Sequence, residues 1–199
     1  MLLHDRLQSG GYRLILASQS PRRQQLLADA GLEFVTIKYE VDESVPEGVD
    51  VATVPEYLAD LKSDGYPQEI MSQDIIITAD TMVLCDGEIL GKPADGEGAR
   101  EMLRKLSGAE HQVITGVSLR SAEERTSFSA STRVWFRELS EEEIDHYVTA
   151  FRPMDKAGSY GIQEWIGYVG VERIDGSFYN VMGLPIQALY VALQEFLAK

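Results

Sequence analysis

The chain has 199 residues, 44% hydrophobic and 25% charged, the composition of a globular protein long enough for one large or two small domains. Its net charge of −14 argues against unspecific binding to nucleic acid or anionic membrane, which needs a basic surface. An anionic substrate would have to be met by a local concentration of Arg and Lys. Residues 1–12 read as a polar lead-in ending in Gly10-Gly11. Leu14-Ile15-Leu16-Ala17 is an apolar run of buried-strand type, and Gln24 to Gly31 is a helical pattern with Gly31 as its stop. Between them lies Ser18-Gln19-Ser20-Pro21-Arg22-Arg23. Ser20 is placed to cap the helix, and Pro21 fits its first position. A strand feeding a helix N-terminus through two serines and two arginines makes an anion site, since N–H groups, hydroxyls and guanidinium forks face one small volume. From residue types alone, a capped surface helix with solvated arginines is the competing reading.

Phe34 to Tyr39 alternates as a second strand, and the acidic, turn-rich segment Glu40 to Gly48 reads as a loop. Thr53 is expected to cap a helix from about Val54 to Lys62, with Glu56 at the capping-box position and Gly65-Tyr66-Pro67 as its end. Asp74 to Ala79 is a continuous apolar strand that delivers Asp80-Thr81 at its C-terminal end. Met82 to Cys85, Asp86-Gly87 and Glu88 to Leu90 form a hairpin, followed by Gly91-Lys92-Pro93. A helix over Glu97–Leu106 is closed by Ser107-Gly108, and strands over Gln112–Arg120 and Ser127–Phe136 flank a polar turn. Ser140 to Glu143 is a capping box that opens a helix to about Ala150. A loop over Arg152–Glu164 precedes a strand over Gly167–Ile174 and an Asp175-Gly176 turn. Pro185 starts an amphipathic helix with Leu189, Leu193 and Phe196 or Leu197 on one face. Without repeats or linkers, these elements predict one α/β domain over 1–199, a mixed sheet flanked by helices and drawn out into two lobes.

Cys85 is the sole cysteine, which rules out an internal disulfide and a cysteine zinc cluster; His4, His111 and His146 show no metal-ligand spacing. No apolar run nears the length of a membrane span, and the segment from Met1 to Arg6 lacks the apolar core of a signal peptide. A cytoplasmic protein with no membrane partner and no direct nucleic-acid partner is expected.

Polar groups gather in loops and at element ends, the usual geography of an α/β active site. Glu43 sits in the acidic loop, Lys62 ends a helix, Asp80 ends the buried strand and Lys92 follows the hairpin; Arg22 and Arg23 complete a set with both signs of charge. Phosphate chemistry needs that mix, because carboxylates hold a divalent cation and activate water while Lys and Arg neutralise phosphoryl oxygens. Each residue also has a plain structural reading. Asp80 as a cap, Glu43 in a solvated loop, Lys62 and Lys92 on the surface and Gln163 as a solvated amide all stay open. A Walker loop, a dinucleotide glycine motif and a nucleophile elbow are absent, and His146 falls inside the helix opened by Ser140. Serine nucleophile catalysis is not expected.

From Arg13 to the C-terminal helix the chain resembles the Maf family of nucleoside triphosphate pyrophosphatases. The resemblance is carried by the run Leu16 to Arg23, by Ala79-Asp80-Thr81, Gly91-Lys92-Pro93, the run Met102 to Gly108, and Thr115-Gly116-Val117, then by the runs Asp155 to Gln163 and Asn180 to Pro185. It implies hydrolysis of a nucleoside triphosphate to the monophosphate and pyrophosphate with Mg²⁺ or Mn²⁺. It also implies a fold like that of the inosine-triphosphate house-cleaning enzymes, with the site in a cleft between lobes, and suggests a homodimer. By motif position, Asp80 looks like the proton acceptor that activates water, with Lys62 and Lys92 beside it in the catalytic set. Glu43 and Asp80 look like the metal carboxylates, and Ser18, Ser20, Arg22 and Arg23 belong with Lys62 and Lys92 to a triphosphate cradle. The branch acting on dTTP and UTP has Arg, Thr and Gln at three positions, matched here by Arg22, Thr81 and Gln163; the branch acting on 7-methyl-GTP carries Trp, Gln and Glu. The resemblance therefore implies a pyrimidine nucleoside triphosphate as substrate. The alternatives it leaves are the 7-methyl-GTP activity and a non-enzymatic regulator of septum formation. Where many members of the pyrimidine branch follow the Gln with Gly, this chain has Glu164-Trp165.

Overall fold

The structure is a computed structural model that describes residues 2–198, so residues 1 and 199 of the predicted domain lie outside the described residues. Strand β1 (Arg13–Leu16) lies parallel to β2 (Phe34–Thr36) on one side and to β3 (Asp74–Cys85) on the other, with Ile15 opposite Val35 and Ile76. Leu14, Ile15 and Leu16 are all buried, the continuous apolar run expected of a parallel strand covered on both faces. Parallel neighbours need crossovers, which are supplied by α2 (Pro21–Asp29) and by α3 (Val54–Asp64) behind a 3₁₀ turn at Val51–Thr53. Strand β4 (Glu88–Leu90) folds back antiparallel on β3 through Asp86-Gly87, whose φ angles of 49° and 79° are those a tight primed turn requires. Strands β5 (Glu110–Arg120), β6 (Arg125–Phe136) and β7 (Val171–Asp175) complete a seven-stranded mixed sheet, six strands of which follow the order β2-β1-β3-β5-β6-β7 while β4 pairs with β3 off that path. The predicted mixed α/β fold with flanking helices is observed.

The chain divides into two compact units, one made of residues up to Asp80, Thr115–Ala130 and the segment from Gly183 onward, the other of Thr81–Ile114 and Ser131–Met182. In the first, Ile15, Ala17, Ile76 and Tyr66 form a core joined by Ile37, Tyr39 and Ile70. In the second, α4 (Gly96–Leu106) packs Leu103 and Leu106 inward and α5 (Glu141–Phe151) buries Ile144, Tyr147 and Val148. His111, Phe136 and Tyr160 meet there edge to face. Among the described residues no helix is long and apolar enough to cross a membrane.

Several local expectations need correction. The polar lead-in is a helix, α1 (Leu3–Ser9), because Leu3 and Leu7 fall four apart and both bury. It is fastened to α8 (Ile186–Phe196): Tyr190 accepts the Leu3 N–H at 3.3 Å, and Arg6 donates to the Gln194 and Leu197 carbonyls. Strand β2 stops at Thr36, three residues before Tyr39. Thr53 gives α3 no side-chain cap, since the 3₁₀ turn has already put its backbone at φ −96°, ψ −10°; Asp50 caps that turn by accepting the Ala52 N–H. Glu56 instead accepts the Ser129 hydroxyl at 2.8 Å. Ser20 occupies the N-cap of α2, with Pro21 behind it, but its hydroxyl caps nothing. Strand β3 does not end at Ala79: it continues unbroken into the hairpin, so Asp80 and Thr81 lie mid-strand. Gly167 to Gly170 is not strand but part of α6 (Trp165–Gly170), and a short helix α7 (Phe178–Met182) precedes Gly183.

Candidate active site

Lys62 is the hub of the first unit's polar cluster. Its Nζ stands 2.6 Å from Asp80 Oδ1 and 3.3 Å from Glu43 Oε1. Lys62 and Asp80 are each 18% exposed in their side chains, whereas Glu43 is 52% exposed, so the pair is partly desolvated and the third member faces water. The sequence puts Lys62 in the last turn of α3, where helix carbonyls lose their partners. Side chains support that end of the helix: Tyr39 donates to the Lys62 carbonyl and Arg120 to that of Ser63 at 2.7 Å, while Thr78 donates at 2.6 Å to the Ala59 carbonyl one turn further in. Burial pushes the Tyr39 phenol up to about 12, so it stays a donor. The backbone from which Lys62 reaches Asp80 is thereby fixed.

Arg23 approaches the same carboxylate from α2. Its Nε donates to the Gly183 carbonyl at 2.7 Å, and its Nη1 to the Ala79 carbonyl at 2.8 Å and to Ser18 Oγ at 3.3 Å. Burial lowers its pKa; the charges of Asp80 and Glu43 work to raise it, while that of Arg22 works to lower it. Three charged groups, Asp80, Glu43 and Arg22, therefore act on Arg23 here. Ser18 also accepts the Ser20 N–H at 3.2 Å, closing the turn that leads into the helix. Arg22 is half-buried one residue before Arg23.

The other predicted residues belong to the second unit. Thr81 follows Asp80 along β3, and Lys92 is exposed after β4. Gly158 donates its N–H to the Gly91 carbonyl at 3.1 Å, so the loop that leads to Gln163 is tied to the residue before Lys92. Gly158 has φ +67°, and a Cβ there would come within 3.0 Å of Val83, so only glycine serves. Gln163 is half-buried, and its Oε1 is fully buried without a hydrogen-bond partner among the described residues.

Among the described residues no group of three or more His, Cys, Asp and Glu is gathered to hold a metal. The Glu43–Asp80 pair nonetheless suits a hard divalent cation. Both carboxylates already converge on one positive charge, Lys62, and Mg²⁺ typically takes one or two carboxylates while keeping waters and substrate phosphate oxygens. Sequence reasoning missed the supports: Tyr39, Thr78 and Arg120 carry no local motif, because each acts on a carbonyl distant in the chain.

The family model described as Maf-like protein matches residues 13–196. A protein of Bacteroides thetaiotaomicron named dTTP/UTP pyrophosphatase is 53% identical over 185 residues, covering 92% of this chain and 96% of that protein. One of the same name from Porphyromonas gingivalis (strain ATCC 33277) is 52% identical over 188 residues, covering 93% and 94%. Another from Cytophaga hutchinsonii is 44% identical over 182 residues, covering 92% and 83%. The structure of the Staphylococcus aureus Ham1 protein overlays with a TM-score of 0.50 at 14% identity, covering 92% of this chain and 99% of that one, a likeness of fold alone.

Proposed function

Because this chain belongs to the Maf family, we infer that it is a hydrolase that cuts dTTP and UTP to the nucleoside monophosphate and pyrophosphate, the activity for which its relatives are named. The observation that carries the reading is the cluster of Lys62, Asp80 and Glu43 beside the half-buried Arg23. Both signs of charge stand within contact distance there, and hydrolysis of a phosphoanhydride uses both.

In the proposed reaction a water oxygen adds at the α-phosphorus, the bond from the α-phosphorus to the oxygen that bridges it to the β-phosphorus breaks, and pyrophosphate leaves with that oxygen and the electron pair. Asp80 accepts the proton of the attacking water. Its Oδ1 faces Lys62, which orients the carboxylate and leaves the second oxygen to take that proton. Lys62, Arg22, Arg23 and Lys92 neutralise phosphoryl oxygens as charge builds, a contribution worth roughly 3 kcal/mol of barrier for each well-placed donor. Glu43 and Asp80 would hold Mg²⁺ or Mn²⁺, which when bound supplies a further positive charge to the phosphates and makes a bound water more acidic. Ser18 and Ser20 shape the turn that presents the arginines. Thr81 and Gln163 are assigned to the base. The Gln163 amide both donates and accepts, matching the imide edge of uracil or thymine. A cytoplasmic enzyme with no nucleic-acid partner follows from this reading.

A panel of nucleoside triphosphates with Mg²⁺ or Mn²⁺, scored for pyrophosphate against orthophosphate, tests it. UTP and dTTP are expected to lead in kcat/KM and to release pyrophosphate; orthophosphate as product, or a purine preference, overturns it. Asp80→Asn keeps the side chain's shape and removes the proton acceptor. Its kcat is expected to fall about 100- to 10,000-fold with circular dichroism unchanged, and wild-type turnover would remove Asp80 from the role.

A further inference from the structure

Beneath the turn that carries Gln163 lies a buried polar network to which the reaction above gives no part. Glu164 is its centre. The Tyr147 hydroxyl donates to Glu164 Oε2, and Lys156 Nζ stands 3.2 Å from Glu164 Oε1. The same phenol oxygen accepts the Gly161 N–H at 3.0 Å, and the Glu164 N–H closes the turn on the Gly161 carbonyl at 2.9 Å. Lys156 has a second partner in Asp155, at 2.8 Å. The side chains of Lys156 and Glu164 are only 9% and 20% exposed, so their attraction is weakly screened. Burial and the bond to Glu164 both raise the pKa of the Tyr147 phenol, and it stays a donor at any physiological pH. Helix α5, the loop before Gly158 and the turn itself are thus joined through one carboxylate.

Gln163 sits inside this frame. A Cβ on Gly161 would fall 3.0 Å from Gln163 Nε2 and 2.9 Å from Glu164 Cδ, so the amide lies packed against the bare glycine backbone next to the carboxyl group. Its Oε1 is buried and has no hydrogen-bond partner among the described residues. Buried amide oxygens are rarely left without a donor, and a reserved acceptor of this kind points to a ligand N–H.

We propose that Glu164, locked by Tyr147 and Lys156, is a positioning residue that holds the Gln163 amide in the orientation that distinguishes uracil and thymine from cytosine. The proposal rests on the reading of Gln163 as the residue that meets the base. Uracil and thymine carry an N–H at ring position 3, which a fixed Oε1 accepts, whereas cytosine has a lone pair there and meets Oε1 with repulsion. Discrimination of this kind depends on orientation, because an amide free to rotate presents its Nε2 to cytosine instead. The acidic residue that follows Gln163 in place of the branch's glycine is therefore part of the base selection.

The test is steady-state kinetics on UTP and CTP for Glu164→Gln, Tyr147→Phe and Gln163→Ala in the full chain, with melting temperature recorded for each. In Glu164→Gln and Tyr147→Phe, KM for UTP is expected to rise about tenfold with kcat within about twofold, the pattern of lost binding rather than lost chemistry. The ratio of kcat/KM for UTP over CTP is expected to fall about tenfold with it. A purely structural role would lower the active fraction and reduce kcat on both substrates alike, and that result overturns the proposal. Lys156→Arg, which keeps the cation, is expected to retain the ratio that Lys156→Met loses; equal ratios in the two overturn it as well. Gln163→Ala separates the layers. If it collapses the ratio while Glu164→Gln and Tyr147→Phe keep wild-type KM and ratio, the positioning role falls and the base-reading role stands. If Gln163→Ala itself leaves the ratio unchanged, both fall.

Discussion

Arg23 shows how one half-buried cation serves a fold and a site together. A guanidinium spreads its donors over a rigid fork, and here that fork reaches two main-chain carbonyls, of Gly183 and Ala79, and the Ser18 hydroxyl. It fastens the strand that carries Asp80 to the segment entering α8. An ammonium at the same place reaches one of those acceptors and leaves the others without the donor they have now. Hydrogen bonds to charged groups contribute about 1.5–3 kcal/mol each, so Arg23→Lys is expected to lower the unfolding free energy by about 2–3 kcal/mol, read from urea denaturation. Wild-type stability in that variant would mean that the carbonyls find other donors. The sequence shows an arginine after Ser-Pro-Arg and invites a solvent-facing phosphate donor; it has no local sign that the side chain turns inward, since both carbonyls lie far along the chain. The Lys62–Asp80 pair was hidden for the same reason, its two members being 18 residues apart. What was legible was the mixture of charges, and the resemblance supplied which members belong together.

Glycines placed where backbones touch decide how the elements meet. Gly116 lies in β5 against the first turn of α3, and a Cβ on it would fall 2.2 Å from the Glu56 nitrogen and 2.2 Å from the Pro55 carbonyl carbon. Neither is the end of a flexible side chain, so the helix start itself would have to move. Overpacking of this kind typically costs about 1–3 kcal/mol. Because α3 also carries Lys62 at its far end, Gly116→Ala is expected to reduce both the urea midpoint and kcat, measured on the same preparation; a variant with wild-type values in both would show that α3 slides without consequence. Elements with local chemistry were legible beforehand. The Asp86-Gly87 turn and the Ser140–Glu143 capping box, with Ser140 accepting the Glu143 N–H, appear where turn and cap residues put them. Elements made by distant partners were not. Helix α1 exists through α8, at the opposite end of the sequence. Helix α6 keeps two glycines, poor helix formers, because a Cβ on Gly167 would fall 1.8 Å from the Ile162 carbonyl oxygen. Strand β3 outran its expected end because a mid-strand acid reads from sequence as a strand terminator. Here its carboxylate is matched by Lys62.

For the molecule as a whole, the response to acid sets a global term against local ones. With a net charge of −14 at neutral pH, protonation of surface carboxylates relieves self-repulsion, and on that ground alone stability would rise as the pH falls. His111 acts in the opposite direction. It is 2% exposed, with Nε2 2.7 Å from the Tyr160 hydroxyl and Nδ1 without a partner among the described residues. Burial lowers its pKa from the 6.5 of a solvated imidazole to about 4. The fold thus prefers the neutral ring, and the unfolded chain takes up a proton first as the pH drops. The stability His111 contributes is complete above pH 6.5 and is lost as the pH falls through 6.5 towards 4, amounting to about 2–3 kcal/mol by pH 4.5. Glu143, drawn down to about 2 chiefly by Arg137 and then by the Ser140 N–H, has the same sign in a lower window, from about 4.5 to 2. A relieved surface charge is spread over a wide, well-screened area, whereas His111 must take its proton in a buried position. The local loss is therefore expected to exceed the global gain. Unfolding free energy measured by urea at pH 7.5 and 4.5 should fall in the parent chain and fall by about 2 kcal/mol less in His111→Gln, which keeps a polar group beside Tyr160 and cannot titrate. Equal pH slopes in the two proteins would assign the acid response to the surface carboxylates instead.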